Sequence, residues 1–109
     1  MRDKHAPIFS SREDEPELRE PISEFVVGLA ERIDRLQDVE QSGDLQALRA
    51  LSAPLAEEAR QLGYASLVDL AQELCRACDE DKPEMAQAAL LRVTQLGRRI
   101  RLGHRGAAG

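Results

Sequence analysis

The sequence predicts an all-α protein, specifically an antiparallel up-and-down four-helix bundle with a short extra N-terminal helix. Apolar residues recur at intervals of three and four through most of the chain, the spacing of helices that each bury one face. Aromatic residues make up only 3% of the 109 residues, and Trp is absent. A core of Leu, Ala, Ile and Val suits packing of helix on helix, and no strand-like alternation competes with it.

The composition is that of a globular protein with one domain. The hydrophobic fraction is 42% and the charged fraction 32%, enough to fill a small core and solvate its outside. The formal net charge of −5 argues against a nucleic-acid partner, because phosphate binding requires a cationic face. No apolar run reaches the ~20 residues of a membrane span, and no secretory signal is visible. We therefore expect a cytoplasmic protein with reduced cysteines and no membrane partner.

The two ends of the chain are predicted to lie outside the bundle. Residues 1–13 have no periodicity and are predicted to form a flexible N-terminal arm, although Ile8 and Phe9 could pack against the bundle. Residues 104–109 are predicted to form a disordered tail. The helical domain is predicted to span 14–103, with a first short helix that begins at an acidic cap around Asp14. Pro21 is expected to bend or restart that helix, because proline removes a backbone donor.

Two long helices with defined ends are expected next. The first runs from about Pro21 to Gln41, and Asp44 caps the second, which runs from Leu45 to Leu62. Gly63 has the place of a left-handed residue that ends this helix. The residues predicted to face the core are Ile22, Phe25, Val26, Leu29, Ile33, Leu36, Val39, Leu48, Leu51, Leu55, Ala59 and Leu62.

The last two helices follow the same pattern. Ser66, with Asp69 three residues later, is predicted to cap the first of them. A polar turn over 79–83 separates it from the final helix, in which Pro83 takes the first position. Loops this short make sequential helices antiparallel neighbours. The residues predicted to face the core are Leu67, Leu70, Ala71, Leu74, Cys78, Ala86, Ala89, Leu90, Val93, Leu96 and Ile100.

The segment from Asp44 to Tyr64 resembles the active helix of histidine-phosphotransfer (HPt) domains. That family carries a pattern close to H-x-L-K-G-S-A-x-x-L-G, and the matching stretch here reads Ala53-Pro54-Leu55-Ala56-Glu57-Glu58-Ala59-Arg60-Gln61-Leu62-Gly63. The apolar framework and the final glycine match, and these are packing and capping positions. The resemblance extends from Ile8 to about Leu102. It implies the four-helix bundle of the family and a place in the phosphorelays of bacterial two-component systems.

The positions that handle phosphate in that family differ in this sequence. Ala53 occupies the phosphoacceptor position, Ala56 stands where a lysine helps to neutralise the phosphoryl group, and Glu57 replaces a glycine. An alanine methyl group cannot attack a phosphoaspartate, so transfer has no nucleophile. Glu57 adds negative charge where an acidic receiver domain would approach, a repulsion of about 1 kcal/mol in water and about 4 at an effective dielectric of ~20.

Pro54 is expected to kink this helix. It removes the hydrogen bond to the carbonyl of Ala50 and crowds it, at a cost of ~3 kcal/mol. Two interpretations remain open at this stage. The kink either spoils the presentation of a reactive side chain at position 53 or is a tolerated bend in a helix with no task there.

The resemblance therefore implies a non-phosphorylatable, HPt-like module rather than an enzyme. Its expected partners are a response-regulator receiver domain or a sensor histidine kinase, which it would bind as an adaptor or inhibitor without transferring phosphate. No catalytic residue, cofactor or metal is expected. The predicted docking surface is the exposed side of the helix from Leu45, with the residues Arg49, Ala53, Ala56, Glu57 and Arg60.

Two alternatives belong to other functional classes. The chain could be a helical scaffold or homodimerisation module that shares only the fold. It could also transfer phosphate through His5 or His104, although one lies in the arm and the other beyond the last predicted helix, where neither is preorganised. The apolar residues that would form a self-association surface are Leu51, Val68, Leu91 and Leu102.

Cys75 and Cys78 have the C-x-x-C spacing of redox and zinc sites. They lie within a predicted helix rather than at an N-terminus, where the helix dipole would lower a thiol pKa. A structural zinc site needs two more ligands, and none is near in sequence. Both are predicted to be small fillers in or beside the core.

Overall fold

The computed structural model describes residues 6–108, and this part of the chain is all-α, with no strand. Four long helices follow a single turn of 3₁₀ helix. The spacing of apolar residues predicts the four long helices, whereas the short helix expected from Asp14 is only this 3₁₀ turn. The elements are the 3₁₀ turn Pro16–Leu18, α1 (Arg19–Gln41), α2 (Leu45–Gln61), α3 (Ala65–Asp79) and α4 (Pro83–Ala108).

The four helices surround one core in a ring. Each packs on two others: α2 on α1 and α3, and α4 on α3 and α1. The predicted core residues of all four helices are buried, except that Val39, Leu51, Leu70 and Cys78 are only partly buried against that core. One polar pair crosses each of the four helix–helix contacts: Arg32 with Glu58, Arg49 with Asp79, Glu73 with Arg92, and Gln37 with Thr94.

The ends of α2 follow the sequence closely. The Asp44 carboxylate accepts a hydrogen bond from the Ala47 amide at 3.0 Å, which caps the first turn. At the other end Gly63 has φ +84°, and the Tyr64 amide donates to the Ala59 carbonyl at 2.9 Å. This is a Schellman motif, which needs a residue that adopts a left-handed conformation without strain.

Several predicted helix ends are wrong. Ser66 does not cap α3, because the helix already begins at Ala65 and Tyr64 precedes it without a side-chain cap. Pro21 does not restart a helix, since α1 already begins at Arg19. The amides of a first helical turn have no partner within the helix, so a proline there costs no hydrogen bond. The last helix continues through Gly103 to Ala108, where we predicted a disordered tail.

The N-terminal segment, defined here as residues 6–15, is attached to the bundle rather than forming a loose arm. Ser10 is 4% exposed. Three successive residues of the segment donate to the carbonyls of the last residue of α2, of its cap and of the glycine that follows, where carbonyls have no partner within the helix. These bonds run from Ser10 Oγ to Leu62, from the Ser11 amide to Gly63 at 2.9 Å, and from Arg12 Nη1 to Gln61 at 2.8 Å.

The same segment also contacts the end of α4. The Ile8 amide donates to the Arg99 carbonyl at 3.1 Å, and Arg99 Nε donates to the Ala6 carbonyl at 2.8 Å. Gly103 faces the Ile8 backbone so closely that a Cβ there would collide with the Ile8 carbonyl oxygen. Glycine at this position therefore lets the segment lie directly on α4.

The predicted self-association surface does not form as one patch. Val68 is buried in the core and Leu51 is partly buried, because both pack against neighbouring helices. Leu91 and Leu102 remain exposed on α4. Among the described residues, no helix combines the length and apolar character that crossing a bilayer requires.

Candidate functional site

All five residues predicted for partner binding line one open cleft between α2 and α3. The cleft has a volume of about 380 Å³. Its α2 wall consists of Arg49, Ala53, Ala56, Glu57 and Arg60, and its α3 wall of Gln72, Cys75, Arg76 and Asp79. The spacing of three and four residues along each helix places these side chains on facing sides of the contact.

The depth of the α2 residues in the cleft differs from the prediction. Arg49, Glu57 and Arg60 are exposed, but Ala53 is half-buried and Ala56 is only 6% exposed. Ala56 is not on the outer face of α2 as predicted, because that part of the helix packs towards α3. The two alanines form the floor, and the charged residues surround it.

The charges around the floor are mostly paired. Arg49 Nε lies 2.7 Å from Asp79 Oδ1, and Arg60 Nη1 lies 2.7 Å from Glu57 Oε1. Arg76 makes no ion pair within residues 6–108, the part of the chain described. Three guanidinium groups therefore meet two carboxylates, which leaves this cleft more cationic than a chain of net charge −5 would suggest.

The α3 wall was missed by sequence reasoning, which considered only the helix that carries the HPt-like pattern. Gln72, Arg76 and Asp79 lie at helical spacing on the polar side of α3. That spacing shows that they share a face, but a single sequence does not show that this face meets α2. Only the packing of the two helices brings them beside Ala53.

Pro54 lies on another side of α2. It is exposed and lines a small depression towards α1, together with Arg35 and Leu51. The helix continues without a break from Leu45 to Gln61. Pro54 therefore does not touch the α2–α3 cleft, and any effect it has there acts through the backbone of α2.

Cys75 and Cys78 are half-buried free thiols, as predicted for fillers beside the core. Burial raises the pKa of the Cys75 thiol, and the nearby Arg49 partly opposes this. Burial also raises the pKa of Cys78, with the neighbouring Cys75 as the second cause. Since the thiolate is the nucleophile, this setting lowers the reactivity of both cysteines near neutral pH relative to an exposed cysteine.

We expect iodoacetamide at pH 8 to alkylate both cysteines at least about threefold more slowly in the folded protein than in urea, because less thiolate is present. Mass spectrometry after timed quenching measures both rates. Arg49→Gln should slow the alkylation of Cys75 more than that of Cys78. Arg49 lowers the pKa of both thiols, but it is the second-largest influence on Cys75 and the weakest on Cys78. Faster alkylation in the folded state would contradict this and indicate an activated thiol.

The two histidines of the alternative phosphotransfer hypothesis lie apart from this cleft. His5 is outside the described residues. His104 was predicted to lie beyond the last helix, but it belongs to α4, is half-exposed, and lines a second cavity at the end of the bundle. The α2–α3 cleft contains no histidine, so its side chains offer charge and shape for binding rather than a phosphoacceptor nitrogen.

No family model matches the chain, and no curated protein or solved structure is detectably similar to it. The resemblance to HPt domains therefore depends on the residues of α2 and their surroundings. Among residues 6–108 no group of three or more His, Cys, Asp or Glu side chains is arranged to hold a metal ion.

Proposed function

We propose that the protein is a non-phosphorylatable HPt-like module that binds a receiver domain or a sensor histidine kinase without relaying phosphate. The observation that carries this proposal is the α2–α3 cleft. It brings Ala53 and Ala56, which stand at the phosphoacceptor and lysine positions of the HPt pattern, to the floor of one site surrounded by charged side chains. A site of this composition can hold a partner, but its alanine floor supplies no nucleophile.

The proposal includes the antiparallel up-and-down topology of the HPt bundle. The connections between consecutive helices consist of three residues each, 42–44, 62–64 and 80–82. Connections of this length join helices that turn back on one another, and consecutive helices here do pack together. The ring of contacts, with α4 closing against α1, is the arrangement that such a topology produces.

The ion pairs of the cleft refine the expected interaction with an acidic partner. Glu57 alone would repel a receiver's carboxylates, but its charge is partly offset by Arg60 at 2.7 Å. Exposed ion pairs such as Arg60–Glu57 and Arg49–Asp79 contribute only about 0–1 kcal/mol to stability. Either arginine can therefore leave its carboxylate and turn towards a partner at little cost. Arg49, Arg60 and Arg76 are the groups we expect to meet acidic side chains.

A phosphotransfer and binding experiment tests this function. Purified receiver domains and sensor-kinase domains from the source genome are loaded with ³²P and mixed with the protein. We expect no label on the protein, since position 53 lacks an imidazole, together with saturable binding of at least one receiver or kinase in surface plasmon resonance. Labelled protein would refute the non-phosphorylatable assignment, and absence of binding across the whole panel would refute the adaptor role.

Charge reversal locates the docking surface. The double variant Arg49→Glu/Arg76→Glu should weaken binding by at least about tenfold, because both arginines border the floor of the cleft. Arg35→Glu/Arg98→Glu is the matched control, since it changes the net charge by the same amount and both arginines are exposed and lie outside the cleft. Equal loss in both variants would show that net charge, and not this cleft, determines the affinity.

A further inference from the structure

A second cavity lies at the end of the bundle where the N-terminal segment crosses it. It has a volume of about 370 Å³, within the range of roughly 300–1,000 Å³ typical of small-molecule sites. Four parts of the chain line it: the N-terminal segment, the start of α1, Tyr64 after α2, and His104 of α4. We propose that this terminal cavity binds a small organic carboxylate with an apolar body, a site separate from the α2–α3 cleft.

Most of the exposed surface inside the terminal cavity is apolar. The apolar part of the lining consists of Ile8, Ile22, the ring of Tyr64 and Phe9. Phe9 leaves 48% of its surface exposed. Exposed aromatic surface next to a concave apolar wall is area that an apolar ligand can cover, and burial of such area favours binding. The body of the ligand is therefore aliphatic or aromatic rather than a sugar or a bare ion.

The hydroxyl of Tyr64 is the first polar group of the site. The residue is 4% exposed, yet its hydroxyl makes no hydrogen bond to any other described residue. Tyr64 is one of the residues that line the cavity. Burial, and secondly the charge of Glu13, raise the pKa of Tyr64 to about 12, so the phenol remains a donor.

The charged groups of the cavity select the ligand's headgroup. Arg19 has no ion-pair partner within residues 6–108, and a histidine such as His104 offers at least one N–H in either charge state. Together with the Tyr64 hydroxyl, these donors favour a ligand that accepts hydrogen bonds, and a carboxylate is an acceptor that Arg can bind through two parallel hydrogen bonds. Among the described residues, Glu13 is the one carboxylate that lines the cavity, and its charge disfavours a doubly charged phosphate.

Isothermal titration of the full chain tests the proposal with three probes: decanoate, 1-naphthoate and the neutral decanol. We expect at least one of the two carboxylates to bind at least about tenfold more tightly than decanol, because charged hydrogen bonds add to apolar burial. The two acids distinguish an aliphatic from an aromatic body. Amide chemical shifts should change around Tyr64 and the start of α1 and remain constant in the α2–α3 cleft.

Two variants separate the headgroup contacts from folding. Arg19→Gln and Tyr64→Phe should each weaken carboxylate binding by about tenfold and leave decanol binding unchanged. Arg98→Gln is the control, because it removes an exposed arginine that does not line the cavity. Binding of neither acid, equal affinity for acids and decanol, or shifts confined to the cleft would each overturn the proposal. Failure of the acids to bind the terminal cavity leaves the receiver proposal unaffected, since the two sites share no lining residue.

Discussion

Replacement of Gly63 by alanine should lower the free energy of unfolding by about 2–3 kcal/mol. A left-handed conformation costs a residue with a Cβ about 1–2 kcal/mol, and φ at Gly63 is +84°. The added Cβ would also lie 2.8 Å from the Oγ atoms of Ser10 and Ser11, which must then move away from α2. Urea unfolding followed by circular dichroism measures the loss, and hydrogen exchange of the Ser11 amide reports the displaced segment.

Gly43→Ala is the matched control for that experiment. Gly43 has φ +80°, nearly the same backbone conformation, but its Cβ would meet no atom within 4 Å. This variant should therefore lose only the about 1–2 kcal/mol that a left-handed conformation costs a residue with a Cβ. Equal losses at Gly43 and Gly63 would show that the N-terminal segment contributes nothing to stability at the end of α2.

Gly103→Ala should destabilise the protein by about 1–2 kcal/mol, although alanine is the better helix former. Gly103 lies within α4, where its Cβ would collide with the Ile8 carbonyl oxygen and lie 3.0 Å from the Ile8 carbonyl carbon. Backbone atoms cannot rotate away as a side chain can, so residues near Ile8 must lift off α4. Faster hydrogen exchange of the Ile8 amide, which donates to Arg99, would accompany the loss.

Gly28→Ala is expected to have the opposite effect on stability to Gly103→Ala. Gly28 lies within α1, and its Cβ would meet no atom within 4 Å. We expect this variant to gain about 0.5–1 kcal/mol from the lower conformational entropy of the unfolded chain. If Gly103→Ala also stabilised the protein, the close contact between α4 and the N-terminal segment would not exist in solution.

These glycine variants also bear on the terminal cavity, because the N-terminal segment forms one of its walls. Displacement of Ile8 in Gly103→Ala removes part of the apolar lining, so carboxylate and decanol binding should weaken together. Arg19→Gln, by contrast, changes only the charged contact. The two patterns distinguish loss of the cavity from loss of its headgroup donor.

The helices were predictable from the sequence because their signals are local. Apolar spacing gave the buried faces of all four helices, and Asp44, Gly63 and Pro83 marked three of their ends correctly. Capping at Ser66 was wrong because Tyr64 and Ala65 already start the helix after the turn. A single apolar pattern does not distinguish two starts that are one residue apart.

The sequence by itself determined the all-α class, the core residues and the alanine at position 53, since each depends on residue identity and periodicity along one helix. Only the tertiary structure decided that α3 supplies half of the cleft, that Ala56 is buried, and that residues 6–15 are attached to the bundle. The reason is physical: these features depend on contacts between residues about 20 to 95 positions apart, such as Ile8 with Arg99. Nothing in the local pattern of either partner encodes such a contact.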